Sequence, residues 1–135
     1  MSAWHSLREV KSDSFRSAAE AKDFAAAKEI FSEDVTFRSP VVFKPYEGRD
    51  ALLVLLGAVV QVFEDFRYVE QVESGETAVL MFEARIGDRS VQGVDILRFD
   101  AAGLIGEMIV MVRPMSGMHA LAERMRVMLE AAGAV

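Results

Sequence analysis

The chain contains no cysteine, which excludes disulfides and thiolate metal sites and leaves the compartment open on that ground alone. Its two histidines, His5 and His119, stand far apart, and the acids are scattered, so no metal-ligand spacing can be assembled. No phosphate-binding loop or dinucleotide fingerprint occurs. The nearest approach, Gly103-Leu104-Ile105-Gly106, reads as a hairpin turn entering a strand rather than opening a helix. The expectation is a protein that works without metal or nucleotide cofactor. Basic residues are in deficit, 15 against 21 acids, and the arginines form no basic run. A net charge of −6 argues against nucleic acid and anionic membranes as partners. The longest apolar run, residues 51–60, is half of the ~20 residues that a membrane-spanning helix needs. The first fifteen residues lack the apolar core of a signal peptide, so a cytoplasmic location is expected. With three prolines, no repeat and no linker, the 135 residues read as one domain, 1–135.

What the chain has in abundance is apolar side chains, 52% of residues against 27% charged. Such an excess must line a cavity or cover a subunit interface. Its distribution changes period along the chain. Trp4, Leu7, Val10, Phe15 and Ala18 recur at roughly helical spacing, and Asp23 is placed to cap a second short helix with Phe24, Ala27, Ile30 and Phe31. Val35 and Phe37 alternate with polar neighbours and predict a short strand ending at Ser39-Pro40. Asp50 is the expected cap of a third helix running to about Phe63, apolar nearly all round and therefore buried on more than one side. From Asp65 onward the period becomes two. Strands are expected over 66–72, 77–86, 91–99 and 104–112, joined by short turns into an antiparallel meander. Pro114 ends the sheet, and Ser116 is the expected cap of a last helix carrying Met118, Leu121, Met125, Met128 and Leu129. Helices, one strand, a helix, four strands and a helix make an α+β plan with helices packed on one face of a curved sheet.

Asp95 stands out within that pattern, as a lone carboxylate in the apolar strand Val94-Asp95-Ile96-Leu97. A buried acid must find a partner or stay protonated. Alternation places Val91, Gly93, Leu97 and Phe99 on its side, and Leu80, Phe82, Met108 and Val110 on the matching side of the neighbouring strands. The opposite sides are also partly apolar, through Val79, Met81, Val94, Ile96, Ile109 and Met111. A sheet apolar on both faces needs two coverings: helices on the concave face, and a second copy of the chain on the convex one.

The segments Glu33-Asp-Val-Thr-Phe-Arg-Ser-Pro40, Gly48-Arg-Asp-Ala-Leu52 and the run from Val94 to Pro114 resemble the NTF2-like superfamily, and within it the SnoaL-like proteins and ketosteroid isomerases. The resemblance implies a cone-shaped α+β barrel with an apolar pocket at its wide mouth, commonly dimeric. It implies the activity far less narrowly, since the superfamily holds isomerases, cyclases, epoxide hydrolases, dehydratases and proteins without catalysis. In ketosteroid isomerase an aspartate base works with a tyrosine and a protonated aspartic acid, one of the standard examples of pKa tuning. By resemblance Asp95 falls at the neutral aspartic acid, Ser39 at the base and Phe15 at the tyrosine, so one of the three roles survives.

A cyclase or isomerase using Asp95 alone as general acid/base is compatible with these residues. An epoxide hydrolase needs a second carboxylate, and strand parity turns Glu107 away. A dehydratase needs a histidine and aspartate pair, for which His119 alone is placed near the mouth. Beside these stands the plainer reading of Asp95 as a carboxylate satisfied by an arginine, a backbone amide or a helix terminus. The leading expectation is a barrel that binds a small hydrophobic molecule. In it Asp95 is the main polar contact, Leu80, Phe82, Leu97, Met108 and Val110 are the wall, and Phe15, Ser39, Tyr46 and His119 are further ligand contacts. The alternatives are the cofactor-independent enzyme and an interaction module with a closed core.

Overall fold

The computed structural model describes residues 10–131 and 133. Helix α1 (Asp13–Glu20) buries Phe15, Ala18 and Ala19; the part of its periodicity that rests on Trp4 and Leu7, like His5, lies outside the described residues. The second short helix is instead a 3₁₀ segment, Ala25–Ile30, kinked at Ala27, with none of its residues buried. Only Ala27 and Ile30 pack against the core, and both stay partly exposed, so little burial is available to drive a longer regular helix. Asp23 does accept a hydrogen bond from the Ala26 N–H at 3.1 Å, as its capping position predicts. Phe31 already belongs to strand β1 (Phe31–Arg38), and a two-residue strand β2 (Tyr46–Glu47) pairs with it.

Helix α2 (Arg49–Val62) starts from Gly48, not from a side-chain cap on Asp50. Gly48 has φ 101°, a conformation that glycine takes without a Cβ penalty, and its carbonyl accepts from the Leu52 N–H. Asp50 lies in the first turn, where its charge favours the helix dipole. The helix buries Leu52, Leu56, Ala58 and Val62 but leaves Val54 half in solvent, so its burial is not all-round.

Strands β3 (Glu64–Ser74), β4 (Thr77–Ile86), β5 (Arg89–Phe99) and β6 (Ile105–Arg113) form the expected antiparallel meander. The sheet order is β2-β1-β6-β5-β4-β3, curved and unclosed. It is mixed rather than wholly antiparallel, because β1 runs parallel to β6. Helix α3 (Met115–Ala131) begins directly after Pro114, whose carbonyl accepts from the Met118 N–H, so Ser116 sits inside the first turn and caps nothing. Gly117 lets α3 approach β5 closely, since a Cβ there would lie 2.3 Å from Val91 Cγ1.

Burial along the strands follows the expected alternation. Val91, Gly93, Asp95, Leu97 and Phe99 are buried in β5, and Ala78, Leu80, Phe82, Ala84 and Ile86 in β4. The rings of Phe15, Phe24 and Phe31 pack together, with centroids 5.2 to 6.4 Å apart. The paired row Phe31, Ile105 and Phe99 is buried across β1, β6 and β5.

Candidate functional site

The core is not solid. Between the inner face of the sheet and the helices lies a cavity of about 210 Å³, apolar over most of its wall. Helix α2 contributes Leu55, Leu56, Val59 and Val60; α3 contributes Leu121, Met125 and Leu129; the sheet contributes Phe66, Phe82, Met108 and Val110. The polar side chains on the wall are Lys22, Ser39, Tyr46, Tyr68, Asp95 and Arg126. Asp95 is the only acid among the described residues that line it.

Asp95 is 5% exposed, and the Tyr68 hydroxyl donates a hydrogen bond to its Oδ2 at 2.8 Å. No other donor among the described residues engages the carboxyl, and no buried side-chain polar atom lacks a partner, so Oδ1 opens to the cavity. Burial pushes the carboxyl up to about 7, because the charged form loses its water, while the Tyr68 bond acts in the opposite sense. Desolvation and then the neighbouring Asp95 charge raise the Tyr68 phenol well above its ordinary value, so it stays a donor. The satisfying partner is therefore a phenol, not the arginine, amide or helix terminus that the sequence suggested.

The pair depends on packing around it. Tyr68 pairs with Phe82 across β3 and β4, and Phe82 with Gly93 across β4 and β5, so the hydroxyl reaches diagonally over the Phe82 ring to Asp95. A Cβ on Gly93 would lie 2.3 Å from Phe82 Cζ, and glycine there makes room for the ring. The Phe66 and Phe82 rings flank the phenol ring, with centroids 4.9 and 6.3 Å from it, and Phe63 packs against both of them at 5.6 and 5.3 Å. On the solvent side the Arg16 guanidinium lies 5.6 Å from the Tyr68 ring centroid, held by Glu20 and Gln71.

Of the residues singled out in the sequence, Asp95, Phe15, Ser39, Tyr46, Phe82, Met108 and Val110 come together around the cavity. Leu80 and Leu97 do not: both are fully buried on Asp95's face but packed in the closed core. Strand parity assigns a face without saying how far along the strand the cavity extends. His119 is exposed and off the wall, two residues or about 200° round the helix from Leu121. The Ser39 hydroxyl accepts from the Val41 and Val42 N–H groups at 2.9 and 3.3 Å, so it shapes the mouth loop and has no basic partner. Glu107 points away, paired with Arg38 and Arg98 on the outer face. Tyr68, Lys22 and Arg126 also line the cavity, and the sequence pattern does not mark them as site residues. Tyr68 carried a faint signal, as the second inward position after Phe66 in a strand already recognised.

A family model described as a SnoaL-like domain matches residues 13–108. Among solved structures, a steroid delta-isomerase from Pseudomonas aeruginosa is 38% identical, with 93% of each chain covered and a TM-score of 0.88. A protein with a cystatin-like fold from Silicibacter pomeroyi is 29% identical over 89% of this chain and 85% of its own, with a TM-score of 0.85. An NTF2-like protein from Mesorhizobium loti, 22% identical over 79% and 97%, shares the fold with a TM-score of 0.67. No curated protein matches the chain.

Proposed function

The chain belongs to the SnoaL-like domain family, and from that premise we propose that it binds a small, largely apolar molecule in the cavity, oriented by the Asp95–Tyr68 pair. One observation carries this reading: a carboxyl with one oxygen held by a buried phenol and the other turned to an apolar cavity. An acid that has lost its water gains most from a ligand that restores a hydrogen bond. A carbonyl would accept from protonated Asp95, and a hydroxyl would donate to its charged form. Fluorescence titration with compact aromatic ketones and phenols tests it. Binding is expected to weaken about tenfold in Asp95→Leu, the worth of roughly one hydrogen bond. Failure of every such probe to bind the wild type below millimolar concentration would overturn the reading.

A second reading, a cofactor-independent isomerase or cyclase, is favoured by the position of Asp95 near 7, where both protonation states coexist at neutral pH. The 38% identity to a steroid delta-isomerase supports the same direction. In this chemistry the Asp95 carboxylate takes a proton from a carbon beside a carbonyl and returns it to another carbon, with Tyr68 holding Oδ2. Conjugation of a β,γ-unsaturated ketone, followed by enone absorbance, is expected to require Asp95 and to be lost in Asp95→Asn. An equal rate in that variant would remove Asp95 from the chemistry.

A further inference from the structure

The cavity wall carries an exposed cation, Lys22, as well as a buried acid, Asp95. Among the described residues Lys22 makes no ion pair, although two acids stand close to it in sequence. Glu20 is taken by Arg16, and Asp23 accepts the Ala26 N–H. Arg126, the other cation on the wall, is already balanced by Glu123 at 2.5 Å and Glu130 at 2.8 Å. Lys22 is therefore the cation at the mouth with charge to offer.

Its backbone adds an independent reason. Helix α1 ends with the Lys22 N–H bonded to the Ala19 carbonyl and the Asp23 N–H bonded to the Ala18 carbonyl, the two bonds of a Schellman motif. Lys22 occupies the left-handed position of that motif, at φ 56°, where glycine is the preferred residue and any Cβ is a strain. A lysine at a position that favours glycine puts an ammonium at the cavity mouth at the expense of the helix end. The cavity volume points the same way. About 210 Å³ exceeds the ~150 Å³ of a cavity that encloses benzene but falls below the ~300 Å³ at which ordinary ligand pockets begin. That space suits a compact skeleton of one or two rings.

We infer that the ligand is a compact apolar carboxylate with a carbonyl or hydroxyl oxygen at its far end, the oxygen meeting Asp95 and the carboxylate meeting Lys22. This rests on the pocket reading above and adds the charge and size of the molecule. A chain of net charge −6 repels anions in general, so preference for an anion must come from the mouth itself.

The test titrates the full chain with 6-hydroxy-2-naphthoate and with its methyl ester, which match in shape and differ in charge. The wild type is expected to bind the acid at least tenfold more tightly than the ester. In Lys22→Gly that ratio is expected to fall to near one through loss of acid affinity, while Lys22→Arg keeps it. Lys22→Gly should also melt at a higher temperature, showing that the lost preference is not lost folding. Equal affinities in the wild type, or an unchanged ratio in Lys22→Gly, would overturn the inference while leaving the pocket reading intact. Failure of both probes to bind the wild type would overturn both.

Discussion

A carboxyl pushed up to about 7 in the folded chain holds its proton more tightly than the same group unfolded, near 3.8. Between those values the native state binds more protons, so stability falls as pH rises. The contribution of Asp95 is fully present below about 4 and is lost as pH passes 7. At ~1.4 kcal/mol per unit it amounts to roughly 4 kcal/mol. Denaturant unfolding of wild type and Asp95→Asn at pH 4.5 and pH 8 should show the wild type losing ground to the variant at the higher pH. Exposed acids such as Glu123, held low by Arg126, act in the opposite sense but are common to both proteins and cancel in the comparison. A pH dependence identical in the two would contradict a desolvated Asp95. Tyr68→Phe removes the one interaction that favours the charged form, so it should drive Asp95 higher still. Asp95 was legible in the sequence because an acid in an apolar strand is conspicuous. Its partner was not, because Tyr68 lies 27 residues away and two strands over, and a diagonal contact leaves no trace in a period-two pattern.

Strands are more legible in this sequence than helix ends. The meander was legible because alternation and the turns at Gly75, Gly87 and Gly103, all at positive φ, agree with one another. The parallel pairing of β1 with β6 was not, since no local feature of either strand names its partner. Residue type points to Asp50 and Ser116 as helix starts, whereas a glycine and a proline set them through backbone conformation. Two register shifts in β3, between Glu64 and Arg67 and between Tyr68 and Glu70, bend the strand that carries the phenol. The element most exposed to a single change is β5. In Gly93→Ala the new methyl would meet Phe82 and, at 2.8 Å, the carbonyl oxygen of Met111. Destabilisation of about 1–3 kcal/mol is expected, with loss of the Tyr68–Asp95 geometry, read by urea unfolding and probe affinity together. An unchanged midpoint and affinity would show that Gly93 is not what makes room for the Phe82 ring.

At the scale of the molecule, the convex face of the sheet carries two apolar rows across the strands. One is Val72, Val79, Ile96 and Ile109; the other is Met81, Val94 and Met111. Polar rows border them, Arg67, Glu83, Gln92 and Arg113 on one side and Thr77, Arg98, Glu107 and Thr36 on the other. Met111 is 54% exposed and Val72 53%. An apolar centre with a charged rim is the anatomy of an interface, and we propose that a second copy of the chain covers it. Sedimentation should give a dimer at micromolar concentration and a monomer for Met111→Glu; a monomeric wild type would contradict this. No helix among the described residues is long and apolar enough to cross a membrane. The most direct single measurement is a carbon-13 titration of the Asp95 side-chain carboxyl in the full chain, with Asp95→Asn for assignment. A midpoint near 7 is expected of an acid desolvated at the floor of an apolar cavity. A midpoint at or below the ordinary ~3.9 would mean a solvated or ion-paired carboxylate, and the cavity would lose the group that orients its ligand.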